Sequence, residues 1–282
     1  MQTISETANL PAVAQVTEGD QIAAAVRQVK HGGRGFVTNF FAGPKQIESW
    51  VNRGELSFLQ DERWVWIRRR DRGFFHLYYF AADADAIEES LASVDAIAEG
   101  AVLAIDLVGQ DAIVAPVARV FRKHGFADRA VLVRMVRSMD PNPMGHGDSP
   151  DVEIALPDDA PAILSLLETT FDPYSKQIPD QDQILQAVSA GRILIVRRDA
   201  AIAGLVFFEA AGAMATLRYW CVDEAWRDQG IGAKLIKVFF NRCRTCRSIV
   251  LWVCTENESA IRRYEHYGFR RTDTKDLILV RR

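Results

Sequence analysis

Trp220 to Lys234, WCVDEAWRDQGIGAK, is the stretch of this 282-residue chain with residue types best suited to chemistry. An apolar run ends, a turn bearing Gly230 and Gly232 follows, and a long amphipathic run begins. A strand, loop and helix in that order aim several backbone N–H groups at one point, at the positive end of a helix dipole. Such a point can hold a pyrophosphate. Glycine at 230 and 232 removes side chains where phosphates must come close. A Gly-x-Gly alone is equally a plain turn, so the spacing Arg227-x-x-Gly230-x-Gly232 carries more weight. It lacks the Lys-Ser/Thr of a nucleoside-triphosphate loop and is not Gly-x-Gly-x-x-Gly.

Cys243-x-x-Cys246 is a second suggestive spacing. The other cysteines, Cys221 and Cys254, form no second pair, so a four-ligand zinc site is incomplete. A redox motif of this spacing opens a helix, whereas this one follows a helical run. Two small residues closing a helix end is the simpler reading, and no metal is expected. All four cysteines lie in the last quarter, which is not the framework of a disulfide-rich secreted protein.

The elements that must position these residues follow from periodicity. Val152 to Leu156 alternates as a short strand. Asp158 or Asp159 then caps a helix with Pro161 in its first turn, and Ile163, Leu166, Leu167 and Phe171 share one face. A second helix is expected over Asp182 to Ala190, and strands over Arg192 to Arg197, Ile202 to Glu209 and Ala215 to Val222. Gly232 to Arg244 is helical, burying Leu235, Ile236, Phe239 and Phe240. Ile249 to Cys254 is a central strand, Ser259 to Tyr267 a helix ending at Gly268, and Leu277 to Val280 a last strand.

Ser138 to Pro150, SMDPNPMGHGDSP, is rich in proline and glycine and poor in large apolar residues, as a linker is. The expected division is residues 1–140, a linker over 141–150, and residues 151–282. With 49% hydrophobic and 25% charged residues the composition is that of a globular protein, and the length suits two domains. A net charge of −3 gives no bulk attraction to nucleic acid or an anionic membrane. The N-terminus has no basic and apolar signal regions, and no apolar run approaches the ~18 residues of a membrane span. The expected location is the cytoplasm. An oligomer is possible but nothing indicates one.

Arg227-Asp228-Gln229-Gly230-Ile231-Gly232 resembles the Q/R-x-x-G-x-G/A acyl-CoA signature of the Gcn5-related N-acetyltransferases (GNAT). A second signature follows at the family's distance: Asn257-x-x-Ala260-x-x-x-Tyr264-Glu265-x-x-Gly268-Phe269. The element order from Val152 to Val280 also resembles that fold. The resemblance implies an α/β (α+β) mixed central sheet flanked by helices, acetyl-CoA as co-substrate and no metal. It implies transfer of an acyl group, most simply acetyl, to a primary amine of a small-molecule or amino-acid-like acceptor. A protein N-terminus or lysine as acceptor is the alternative, and a non-catalytic acyl-CoA-binding module a further one.

By the same resemblance, backbone amides around Gln229, Gly230, Ile231, Gly232 and Ala233, flanked by Arg227 and Asp228, would hold the pyrophosphate. Backbone groups at Cys221 and Val222 would bond pantetheine and the acyl carbonyl, and one well-placed donor of that kind is worth ~3 kcal/mol. Asn257 would contact the pantetheine arm. Tyr264 would protonate the leaving thiolate, which a phenol of ordinary pKa about 10 can do. The family position that often carries a basic Glu falls on Thr216, which cannot serve. Glu209 ranks first among substitutes, with Asp223, Glu256 and a water relay through Tyr219 behind it. Water alone suffices for an amine of low pKa.

The N-terminal half carries an echo of the same pattern. Ala101 to Val108 parallels Ile249 to Cys254, ARVFRKHGF ending at Phe126 parallels IRRYEHYGF ending at Phe269, and Val131 to Val136 parallels the last strand. Trp64 to Arg70 and Phe74 to Phe80 form a hairpin upstream. A degenerate second GNAT-like copy is expected. Phe121 replaces Tyr264, and the acidic run Asp83 to Glu89 stands where a phosphate cradle belongs, so this copy should neither bind CoA nor catalyse. Its expected tasks are packing and walling the acceptor site, with His76, Tyr78 and Tyr79 as candidate wall residues.

Overall fold

The computed structural model describes residues 13–32, 36–98, 100–139 and 149–282, so most of the expected linker lies outside the described residues. In chain order the elements begin β1 (Ala14–Gln15), α1 (Gly19–Gly32), β2 (Val37–Thr38), α2 (Pro44–Asn52), β3 (Leu56–Gln60), β4 (Trp64–Asp71) and β5 (Phe74–Ala81). Then come α3 (Ala84–Ser90), α4 (Val94–Ala98), β6 (Val102–Gly109), α5 (Asp111–Lys123) and β7 (Ala127–Ser138). The rest is β8 (Glu153–Ile154), α6 (Ala160–Thr170), α7 (Pro173–Lys176), α8 (Gln181–Ser189), β9 (Ile193–Arg198), β10 (Ala201–Ala211) and β11 (Met214–Val222). It closes with α9 (Ile231–Arg242), β12 (Ser248–Cys254), α10 (Glu258–His266) and β13 (Arg270–Arg281).

Two compact units result. The first is residues 1–131 with 274–282, and the second is residues 132–273. This differs from a division at 140 and 151, because the two halves exchange their last strands. Residues 132–138 pair antiparallel with β12 in the second unit, whereas residues 275–281 pair antiparallel with β6 in the first. The alternation of Leu277 and Leu279 fits the first core as well as a local one, so hydrophobic pattern alone does not say which sheet a strand joins.

Each unit is a mixed sheet flanked by helices. In the second, β8, β9, β10 and β11 run antiparallel in turn, and β12 joins β11 in parallel. Ile163, Leu167, Ile184 and Val188 of α6 and α8 cover one face. Leu235, Ile236, Phe239 and Phe240 of α9 cover the other, as their helical spacing requires. In the first unit β3, β4 and β5 form the antiparallel part and β6 joins β5 in parallel. The spacing of Val114, Val117, Ala118 and Phe121 places them on the buried face of α5.

The feature that positions a site is the short parallel ladder. In the second unit it runs over Met214↔Ser248, Ala215↔Ile249 and Thr216↔Val250 and then stops, although both strands continue. An irregularity lies on the opposite edge of β11. Phe208 pairs with Leu217 and Phe207 with Tyr219, so Arg218 is an extra, bulged residue. A bulge bends its strand and increases its twist, and Tyr219 to Val222 follow it, past the end of the ladder with β12. The first unit has the same three-residue ladder, Phe74↔Val102 to His76↔Ala104, before its strands part.

Candidate active site

Beyond Val222 the chain makes the turn expected of an anion cradle. Asp223 accepts the Ala225 N–H at 2.9 Å, Asp228 adopts a left-handed backbone (φ 63°), and Gly230 does so again (φ 73°) as the N-cap of α9. The N–H groups of the first helical turn, Ile231 to Ala233, lack partners one turn earlier and converge there. Ile231 is buried and anchors the helix start, and Gly204 lets it approach. A Cβ at Gly204 would stand 2.9 Å from the Cys221 carbonyl and 3.1 Å from the Ile231 side chain. A Cβ at Gly232 would press on the Trp220 ring at 3.4 Å. Arg227 is largely exposed, in a loose 3.3 Å pair with Glu224, and remains available to an anion. This loop offers the backbone donors and glycine clearance that a pyrophosphate needs.

Cys221 and Val222 occupy the free limb of β11, paired on their other side with Leu205 and Gly204. Their backbone edge facing β12 has no ladder partner, as acyl-arm recognition needs. Burial pushes the Cys221 thiol up to about 12, so it is no nucleophile at neutral pH. Tyr264 lies on α10, its ring 5.6 Å from Trp220 and 5.8 Å from Phe269. Burial raises its phenol well above the ordinary value, which keeps the proton on until a stronger base forms beside it.

Other expected residues find different employment. Asn257 is exposed and caps α10, its carbonyl oxygen accepting the Ala260 N–H at 3.0 Å. Glu209 pairs with Arg218 at 3.1 Å and stands opposite Thr216, at the closed end of the strand opening. Asp223 is occupied as a turn cap, and the Tyr219 hydroxyl donates to the Lys176 carbonyl at 2.6 Å and also to that of Gln177. Cys243 caps the end of α9, and Cys246 is buried beside it. Among the described residues no group of three His, Cys, Asp or Glu gathers to hold a metal.

Lys176 carries no sequence signature. Its ammonium donates to the Trp252 carbonyl of β12 at 2.7 Å, beyond the end of the ladder with β11. No motif marks it, because it comes from the loop between α6 and α8 and reaches the site only through the fold.

The first unit fills its own opening. Val37 and Thr38 of β2 pair with Ala81 and Phe80, on the limb of β5 that β6 has left. Asn39, buried, then ties both limbs together. Its amide donates to the Leu77 and Asp106 carbonyls at 3.1 and 3.0 Å and accepts the Tyr79 N–H at 2.8 Å. Asp83 caps α3 and pairs with Arg63, and Phe121 is fully buried. His76, Tyr78 and Tyr79 are buried within this unit and present no open wall.

A strand opening leads to a glycine-capped helix start, with Tyr264 packed against Trp220 alongside. Consistent with that, the model of the acetyltransferase (GNAT) family matches residues 160–269, and this segment is a domain of that family. Such a domain supports acyl-CoA-dependent N-acetyltransferase activity in general, with acetyl-CoA as co-substrate. No curated protein matches the chain. Among solved structures, a tandem GNAT protein from the clavulanic acid biosynthesis pathway is similar at TM-score 0.61 and 12% identity, over 95% of this chain and 97% of that one. A GCN5-related N-acetyltransferase of Sphaerobacter thermophilus matches at 0.60 and 14%, over 95% and 94%. A GNAT-family protein of Novosphingobium aromaticivorans matches at 0.51 and 23%, over 92% and 96%. These likenesses establish a tandem GNAT fold. Among the described residues no helix is long and apolar enough to cross a membrane.

Proposed function

We propose that the second unit transfers the acetyl group of acetyl-CoA to the primary amine of a small-molecule or amino-acid-like acceptor by direct attack, and that the first unit is non-catalytic. The observation that carries this is the limb of β11 from Tyr219 to Val222, which stays paired with β10 after its ladder to β12 has ended and leads through the 223–229 turn to the Gly230-capped start of α9. Acetyl-CoA supplies the activated thioester. The first-turn amides of α9 hold its pyrophosphate, and the free backbone edge at Cys221 and Val222 orients the acyl arm and polarises the carbonyl. An acceptor that arrives protonated first loses a proton to water; the amine then forms the new C–N bond and gives a second proton to solvent. The C–S bond breaks, and the sulfur takes the Tyr264 proton, which solvent restores.

Release of CoA thiol from acetyl-CoA, measured against a panel of amines, tests the reaction. Thermal stabilisation by acetyl-CoA with no thiol release from any acceptor would leave a binding module. Mass spectrometry of small amines and peptides incubated together separates the acceptor classes, and acetylation of peptides alone would overturn the small-molecule assignment.

A further inference from the structure

The loop between the first two long helices of each unit sends one nitrogen donor to one particular backbone carbonyl. In the first unit Asn39 Nδ2 takes the carbonyl of Asp106, two residues past the last ladder pair His76↔Ala104. In the second, Lys176 Nζ takes the carbonyl of Trp252, two residues past the last ladder pair Thr216↔Val250. The carbonyls are equivalent and the donors arrive from equivalent loops. Opposite Trp252, the Arg134 carbonyl accepts instead from the Thr272 hydroxyl. Trp252 and Arg134 therefore form a pair whose backbone groups point away from each other, and the Trp252 carbonyl faces the strand opening. A backbone carbonyl in that position requires a donor.

The two donors differ in permanence. Asn39 is buried and held by three hydrogen bonds to two strands, so it is part of the wall. Lys176 reaches its carbonyl on a flexible four-carbon stem from the short helix α7, and its ammonium is a primary alkylammonium. The loop behind it is fixed independently, by the Tyr219 hydroxyl on the Lys176 and Gln177 carbonyls. The loop's anchorage therefore does not depend on the ammonium's bond to Trp252.

We propose that the Trp252 carbonyl is the docking point for the acceptor's nitrogen, that the acceptor is a primary alkylamine binding as its ammonium ion, and that Lys176 holds its place until it arrives. This rests on the acyltransferase reading above and adds the acceptor's chemical class. A neutral arylamine lacks the charge that competes with Lys176 for the carbonyl, and a guanidinium is too broad to replace one ammonium at one oxygen.

Acetyl-CoA turnover is measured with n-butylamine, 1,4-diaminobutane and aniline, on the full chain and on Lys176→Met, which keeps the apolar stem. Expected are turnover of the alkylamines over aniline and, in Lys176→Met, a roughly five- to tenfold fall in amine KM, the gain from freeing a site its own chain occupies most of the time. The KM for acetyl-CoA and its thermal shift stay unchanged. An amine KM that is unchanged or higher in both Lys176→Met and Lys176→Ala, with the acetyl-CoA shift intact, overturns the inference. So does equal turnover of aniline, or no turnover of any of the three by a protein that acetyl-CoA stabilises. Absence of both stabilisation and turnover overturns the underlying acyltransferase reading instead.

Discussion

The Tyr264 ring meets the Phe269 ring edge to face, with centroids 5.8 Å apart, across a helix end closed by Gly268 (φ 81°). Phe121 and Phe126 repeat that relationship at 5.2 Å across Gly125 (φ 83°). In both, the second aromatic's N–H donates to the first one's carbonyl, at 3.1 and 3.2 Å. The helix ends are the same device, and the chemical difference between them is one hydroxyl. Tyr264→Phe should therefore fold and bind acetyl-CoA normally but lose about a hundredfold in turnover, the low end of what a general acid contributes. Steady-state rates with unaltered acetyl-CoA KM would support this, and full activity would assign the proton to water.

Acetyl-CoA should raise the melting temperature by mass action. Gly230→Val forces a branched residue into a left-handed backbone, and Gly232→Leu drives a side chain against Trp220. Both should abolish the shift. Retention of the full shift in both would place the pyrophosphate elsewhere.

Calorimetry should count one CoA per chain. Among the described residues the first unit's opening is closed by β2 and Asn39, and no glycine pair follows β5. Asn39→Ala removes a side chain that meets two carbonyls and one N–H in a buried place, and should cost about 3 kcal/mol on denaturant unfolding. It should leave the stoichiometry at one.

The pH profile of kcat/KM should rise as the acceptor amine deprotonates. Because burial holds the Tyr264 proton above the ordinary phenol range, no falling limb should appear below pH about 10. A descending limb near pH 8 would identify a different acid.

Asp71 carries a prediction for stability. Burial alone would raise its pKa, but the His76 ring nitrogen 3.4 Å away and the charges of Arg69 and Arg72 outweigh that and hold it below the ordinary carboxylate value. A carboxyl lowered on folding stabilises above its unfolded pKa, and that contribution fades as pH falls through the folded value. The loss should therefore be confined to strongly acid solution. Asp71→Asn leaves Arg69, 2.8 Å away and nearly buried, without its counter-ion, at about 3–5 kcal/mol. Unfolding curves at neutral pH measure it.

The glycine-capped turn before α9, the place of Tyr264 on its helix and most elements of the second unit were legible in the sequence, because each depends on contiguous residues. A glycine cap, a capped helix and an alternating strand are local solutions to backbone sterics and hydrogen bonding. Phe121 at the place of Tyr264 was legible for the same reason. Tertiary structure alone decided which sheet each last strand joins, since alternation specifies a buried face and not the neighbour that buries it. It also decided that Glu209 would be spent on Arg218, that Asn257 would serve as a cap, and that Asn39 and Lys176 would meet strands 67 and 76 residues away. Those contacts form only when two strands part and distant loops settle over the gap.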